Sequence, residues 1–382
     1  MDPFVPTRHA VHVLPEGALE QKLKLGRPLR VKLGVDPTSP DVHLGFAVVL
    51  DRLREWQDAG NVVVLIVGDY TARIGDPSGR SSERPVLPDE ELDANAQRFA
   101  EQAFRILDPD RTEVRFNGEW LAKLSFAEVV RLTRMLTVSR LLERDDFAKR
   151  FAAQEPISLS ELLYPPMQAY DSVAIDADVE IGGTDQLYNL LTGRDVMERY
   201  GKEPQIVVTY PLLVGLDGEE KMSKSRGNYI GILEPPAEMF GKTMSIPDKA
   251  LPQWWELVAG GGDHPDDPLE WKLELARRIT ARWHGPEGAR DGEAHFTRVV
   301  RRHEAPAEVP EATISPANGT VYLPAALQEV FGQSGSHWRR QIDQGGVKLE
   351  GEPVPGYEVE ASRLDGAVVQ AGKRAFVRFR CV

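Results

Sequence analysis

Cysteine is almost missing: the 382-residue chain holds one, Cys381. A lone thiol excludes an internal disulfide and a cysteine-built metal centre. Long apolar runs are also missing, and no stretch approaches the roughly eighteen apolar residues that a membrane-spanning helix needs. The opening residues, MDPFVPTRHAVHVLPEG, carry no apolar core of a secretory leader. These absences predict a cytoplasmic protein that does not enter a membrane. Positive charge is in deficit, with 46 Lys and Arg against 59 Asp and Glu, a net charge of -13. That balance excludes a surface that binds nucleic acid all over, because phosphate needs positive potential. The deficit is uneven. From residue 320 onward eight Lys and Arg face seven Asp and Glu, a balance of +1, which leaves -14 for the residues before. Internal repeats and low-complexity tracts are absent too.

What is present reads as a globular enzyme of two or three domains, given the length and an apolar content of 41%. LRVKLGVD (29–36) predicts a strand that runs into a Pro-containing loop, and HLGFAVVLDRLREWQDAG (43–60) an amphipathic helix ending at Gly60. NVVVLIVGD (61–69) is a continuous β-branched run of the kind covered on both faces in a parallel sheet. Strand, helix, strand opens an α/β domain with a Rossmann-like, doubly wound parallel sheet. QIVVTYPLLVG (205–215) predicts a further strand. DANAQRFAEQAFRIL and SFAEVVRLTRMLTVSRLLERDDFAKRF are helical stretches between them. Past residue 231 the strand signals fade, and 232–303 reads as a mainly α-helical domain. A Pro-, Ala- and Glu-rich stretch, 304–319, lacks apolar periodicity and reads as a semi-extended linker. Residues 320–382 then alternate helical and strand patterns, a small α+β module.

Two polar loops could carry chemistry. DPTSPDVHLG brings Thr38 and His43 to a helix N-terminus, where free backbone N–H groups and the helix dipole favour an anion. Gly45, just inside the helix, lets a ring or phosphate approach the backbone. An ordinary helix start, with Asp41 as the cap and a solvent-facing His43, accounts for the same string. In GEEKMSKSRGN, Lys221, Ser223, Lys224 and Ser225 sit on a polar loop that can fold over a polyphosphate and neutralise charge as a bond to phosphorus breaks. A charge run is usually a solvated face, but KMSKS arises by chance in a chain this long on the order of once in ten thousand tries.

A His loop after the first strand and KMSKS after the last strand of the same domain resemble the class I aminoacyl-tRNA synthetases, which use the two loops as halves of one ATP site. IGDPSGRSSER (74–84), LLYPPMQAYDSV (162–173) and EIGGTDQLYN (180–189) are similar to the amino-acid pocket of the tyrosyl-tRNA synthetases. The resemblance spans essentially the whole chain. It implies activation of L-tyrosine by ATP, giving tyrosyl-adenylate and pyrophosphate, and transfer of tyrosine to the 3' end of tRNA(Tyr). It implies Mg2+ carried by ATP rather than held by the protein, and a homodimer. By this resemblance Asp76, Tyr164 and Gln168 hold the substrate α-ammonium, and Gly34 lines the same pocket. Asp171 accepts the phenol hydrogen, so phenylalanine would leave a buried carboxylate unpaired. Gly182 and Gly183 admit ribose and adenine, Asp185 takes the ribose hydroxyls, and Gln186 lies near the reacting carboxylate. Arg80 and Arg84 meet the pyrophosphate. Catalysis is then positioning and electrostatics from His43, Thr38, Lys221 and Lys224, with no protein nucleophile or general base in the first step. SHWRRQIDQGGVKLEG resembles the S4 RNA-binding module, with Arg339, Arg340 and Lys348 facing RNA and Trp338 in the core.

Two positions depart from the family pattern. The signature usually ends in a second His, where this chain has Phe46, and Lys32 stands where many tyrosyl enzymes have a tyrosine that helps hold the phenol. Two rival readings stay open at this level: a tryptophanyl enzyme of the same class, and a small-molecule nucleotidyltransferase with a similar His loop. A catalytically dead RNA-binding relative is a third.

Overall fold

A computed structural model describes residues 7–37, 41–76, 88–302, 305–306, 309–372 and 375–382. The chain divides into two compact units, 1–234 with 245–268, and 235–244 with 269–382.

The first unit is built on a six-stranded sheet in the order β1 (His12–Leu14), β6 (Ile206–Tyr210), β5 (Val179–Gly183), β2 (Arg30–Val35), β3 (Val62–Val67), β4 (Thr112–Phe116). All neighbours pair in parallel except β1, which runs antiparallel on the edge. The order reverses between β2 and β5, which makes that gap the topological switch point of a doubly wound fold. β5 and β6 are buried throughout, and β3 nearly so, as parallel strands covered on both faces must be.

Helices α1 (Ala18–Leu23), α2 (Leu44–Asp58), α3 (Asp89–Ala103), α4 (Gly118–Leu121), α5 (Phe126–Thr133), α6 (Val138–Leu141), α7 (Asp145–Ala152), α8 (Tyr164–Ile175) and α9 (Leu187–Arg199) complete its layers. α2 buries Leu44, Ala47, Val48, Leu50 and Leu53, the stripe its spacing predicted. The long helical stretch expected over 125–151 is instead three short helices. Ser125 closes a capping box with Glu128, and the Thr137 hydroxyl accepts from Arg140 N, so each cap restarts the helix.

The second unit holds α10 (Pro236–Met244) and α12 (Pro268–Phe296), the latter broken at Gly285 where Pro286 begins a new segment. α11 (Leu251–Val258), expected in the helical domain, belongs to the first unit: Gln253 Nε2 donates to Leu212 O and Trp254 Nε1 to Val214 O. The terminal part carries α13 (Leu323–Phe331), α14 (Gly335–Asp343) and α15 (Ala361–Leu364). A five-stranded sheet runs β10 (Glu352–Pro353), β9 (Val347–Leu349), β12 (Val368–Ala371), β13 (Ala375–Cys381), β7 (Glu311–Ile314), and β11 (Glu358–Glu360) pairs with β8 (Thr320–Tyr322). β7 lies inside the stretch expected to be a linker. Its alternation turns Ala312 and Ile314 inward against the core around Phe379 and Leu327, and four residues pair with β13. Trp338 is buried in that core beside Phe331, as expected.

Candidate active site

The ladder between β2 and β5 is two pairs long, Val31 with Val179 and Lys32 with Glu180. Beyond it the strands part, and their C-terminal ends line a cavity of about 760 Å³. Every described candidate residue of the first unit lines it: Gly34, His43, Gly45, Asp76, Tyr164, Gln168, Asp171, Gly183, Asp185, Gln186, Lys221, Ser223 and Lys224. Thr38, Arg80 and Arg84 lie outside the described residues.

One end is built from α8, where Tyr164, Gln168 and Asp171 recur at helical spacing on one face. Asp171 is buried, accepting from Trp120 Nε1 at 2.8 Å and Asn117 Nδ2 at 3.3 Å. Asn117 Oδ1 accepts from Tyr70 N, which fixes the orientation of that amide, and its Nδ2 also reaches Thr71 Oγ1 at 3.0 Å. Thr71 in turn donates to Asp36 Oδ1 at 2.8 Å, and Tyr164 OH donates to Asp36 Oδ2 at 2.9 Å. A hydrogen-bonded chain thus joins the two carboxylates across the cavity wall. Burial pushes the Asp171 carboxyl up to about 7, against the pull of Lys32 and its two donors. Asp76 and Gln186 meet directly, Nε2 to Oδ2 at 2.8 Å, while Asn189 Nδ2 donates to Gln186 Oε1 and Arg144 holds Asn189.

The other end gathers positive charge. His43, not Asp41, is the N-cap residue of α2, and its ring is buried, so the solvent-facing alternative does not hold. Leu44 N donates to Ile230 O and Ile232 N to Val42 O, stitching the His loop to the strand-like segment that follows KMSKS. Burial, then Lys224 and Lys221, lower His43 to about 3, so the imidazole is neutral at physiological pH. Its Nδ1 has no hydrogen-bond partner among the described residues. Burial also lowers Lys224 to about 8, with Asp41 opposing. Lys221 Nζ bonds Asp185 Oδ2 at 2.5 Å. The loop is shaped by Asn228, whose Oδ1 accepts from Ser223 N and whose Nδ2 reaches Asp217. A Cβ on Gly45 would come to 3.0 Å from the His43 ring, and one on Gly183 to 2.6 Å from Leu212 Cδ2, so a side chain at either position would crowd that neighbour. Phe46 lies half-buried in the cavity wall, 4.6 Å from the His43 ring and 5.5 Å from Phe99.

Residue-level reading of the sequence passed over Asp36, Thr71, Asn117, Trp120 and Glu180. Asp36 opens the marked loop DPTSPDVHLG without being singled out, but Asn117 and Trp120 come from FNGEWL, where nothing local signals a site.

A nucleotide-type cavity at the switch point of a doubly wound sheet, with paired lysines at one end and buried carboxylates at the other, is the architecture of a class I synthetase catalytic domain. Residues 24–262 match the family described as tRNA synthetases class I (W and Y). The tyrosine-tRNA ligase of Moorella thermoacetica is 49% identical, covering 97% of this chain and 94% of its own length. That of Thermotoga maritima is 49% identical, covering 97% and 95%. The chain belongs to this tyrosine-tRNA ligase family of class I aminoacyl-tRNA synthetases. The crystal structure of a tyrosyl-tRNA synthetase complexed with L-tyrosine from Archaeoglobus fulgidus shares the fold, with a TM-score of 0.62 at 23% identity over 75% of this chain and 97% of that one. The tryptophanyl and nucleotidyltransferase readings gain nothing from these relatives.

Asp171 binds its proton more tightly folded than unfolded, so the stability it contributes is full at acid pH and is lost as pH rises through about 7. Asp171→Asn removes that loss. In denaturant melts the stability of the variant relative to the parent rises by at least ~1 kcal/mol from acid to alkaline pH; a pH-independent difference would refute the assignment.

Proposed function

We propose that the cavity at the β2–β5 fork is where tyrosine is activated, with the amino acid at the α8 end and ATP between the His43 and KMSKS loops. The overall reaction is that of the family: L-tyrosine and ATP give tyrosyl-adenylate and pyrophosphate, and tyrosine passes to the 3' end of its tRNA. The observation that carries the placement is the shared cavity, with carboxylates at one end and Lys221 and Lys224 at the other.

In this reading Asp171 accepts the phenol hydrogen, while Asp76, Tyr164 and Gln168 surround the ammonium. Gln186 sits toward the carboxylate that attacks the α-phosphorus. The attacking oxygen is already anionic, so no protein base is required, and the protein lowers the barrier by alignment and by charge placed where charge develops. Lys224, Lys221 and Thr38 meet the phosphates. Neutral His43 offers a hydrogen bond without adding charge. Asp185 exchanges its bond with Lys221 for the ribose hydroxyls, which frees that lysine for phosphate. Gly45 and Gly183 leave room for the nucleoside, and Arg80 and Arg84 are assigned to pyrophosphate. No group of three or more His, Cys, Asp or Glu side chains is placed to hold a metal ion among the described residues. Mg2+, supplied on the phosphates of ATP, spreads their charge.

Residues 1–231 are assigned to catalysis and 232–303 to the tRNA anticodon. The module from 320 is assigned the S4-like role, supported by exposed Arg339 and Arg340 on α14 and half-buried Lys348 on β9. A homodimer fits the large apolar side chains left exposed over 126–159, among them Phe126 and Val130, one turn apart on α5, and Phe151 and Leu159. A cytoplasmic location fits the family, and among the described residues no helix is long and apolar enough to cross a membrane.

Lys224→Ala is expected to leave tyrosine binding nearly intact and to cut tyrosine-dependent pyrophosphate exchange by about two orders of magnitude or more. Unchanged exchange would sink the assignment. Because Lys224 loses its proton near pH 8, kcat/KM for ATP falls as pH rises through that value, and Lys224→Arg moves the fall to higher pH.

Replacing Arg339, Arg340 and Lys348 together by Ala weakens tRNA charging and spares pyrophosphate exchange. Equal charging by the triple variant would remove the module from the mechanism. Analytical ultracentrifugation of the full chain is expected to give twice the monomer mass, and a monomer at micromolar concentration would contradict the dimer.

A further inference from the structure

Lys32 and Glu180 are the last register partners before β2 and β5 part, and both are fully buried. Their ion pair is 2.8 Å long. Taking two charges out of water costs about as much as their attraction returns, so such a pair adds little stability and much positional definition. Its hydrogen bonds identify what is positioned. Lys32 Nζ donates to the main-chain oxygen of Gln168 at 3.2 Å and to Ser172 Oγ at 2.8 Å. Glu180 accepts from Gln168 Nε2 at 3.3 Å, from Ser172 Oγ at 3.2 Å, and from Gln205 Nε2. Gln168 and Ser172 are one turn apart on α8, and Asp171 lies between them.

A carboxylate only accepts, so Glu180 takes the NH2 end of the Gln168 amide and leaves its Oε1 turned elsewhere. That oxygen is buried without a hydrogen-bond partner among the described residues, on a side chain that lines the cavity. An acceptor so fixed suits an ammonium.

We propose that Lys32 and Glu180 are positioning residues for amino-acid recognition: their ion pair at the fork clamps α8 so that Gln168 presents its amide oxygen and Asp171 its carboxylate to tyrosine. This rests on the reading of Gln168 and Asp171 as tyrosine contacts. The charged groups bearing on Asp171 are Lys32 from β2, which favours its ionised form, and Glu180 from β5, which opposes it; Trp120 and Asn117 donate to it from the α4 side. Without Lys32, two carboxylates share a dry site, and the one on Asp171 holds its proton to higher pH.

The test compares Lys32→Met, the double variant Lys32→Met/Glu180→Gln, and Asp171→Asn in pyrophosphate exchange with tyrosine and with phenylalanine across pH. Lys32→Met is expected to raise KM for tyrosine about tenfold or more, leave KM for ATP unchanged, and move the acid limb of kcat/KM for tyrosine to higher pH. The double variant removes both charges of the pair and leaves neither partner unpaired, so it folds where the single variant fails. It keeps the raised KM, with an acid limb between those of the parent and Lys32→Met. A purely structural pair would lower Tm and move neither the KM split nor the limb. Parental tyrosine kinetics at every pH in folded Lys32→Met, or in the double variant, overturn the proposal. Asp171→Asn separates the two levels. If it abolishes the preference for tyrosine over phenylalanine while the Lys32 variants change nothing, only the positioning role falls. If it keeps that preference, the pocket reading falls and takes the proposal with it.

Discussion

The short β2–β5 ladder is the constraint on which the rest of the site depends. Two central parallel strands that stayed paired along their length would fill the switch point with side chains and backbone hydrogen bonds. Here they separate after Lys32 and Glu180, three residues before the end of each strand. The divergence exposes Gly34 and Asp36 on one bank and Gly182 and Gly183 on the other. Helix starts and loops that follow each strand then converge on the same opening, which is why residues more than a hundred positions apart meet there.

The cavity is electrically divided, and the division is maintained by burial as much as by residue choice. At the α8 end carboxylates are held by donors fixed in their turn, Asp171 by Trp120 and Asn117, Asp36 by Thr71 and Tyr164. At the loop end the lysines carry the charge and His43 carries none, because a buried imidazole beside two ammonium groups does not take a proton. The main-chain bridge between His43 and Gly231 keeps that imidazole and the lysine loop in one frame. A substrate with an ammonium at one end and phosphates at the other matches this polarity.

Much of this was legible in the sequence, for identifiable reasons. The apolar runs of β2, β3 and β6 and the stripe of α2 marked themselves by burial on both faces or on one. β4 and β5 did not: TEVRF carries charges that pair at the surface with Arg30 and Glu119, and VEIGG combines a carboxylate with two glycines, which disfavour strands outside their context. Glu180 is tolerated in a buried strand because Lys32 faces it and Gln168, Ser172 and Gln205 donate to it, partners that no local pattern contains. The loop motifs carried His43, Lys221 and Lys224 directly. Asn117 and Trp120 were illegible because their role is set by a tertiary contact with α8, and β7 because four residues between prolines become a strand only when β13 is beside them.

Phe46 shows how a departure from a motif can be absorbed. A second imidazole at that position would sit within ring contact of His43, and two polar rings in a dry wall would each need a partner. Phe46 instead packs a tilted ring on His43 and stands nearly perpendicular to Phe99, so the wall gains apolar contact. The same packing deepens the burial that keeps His43 neutral. The positive charge at this end of the cavity is therefore carried by the lysines, and burial makes the Lys224 proton the more easily lost. The loop that carries this charge is tied to the helix bearing Phe46 through the backbone at Gly231.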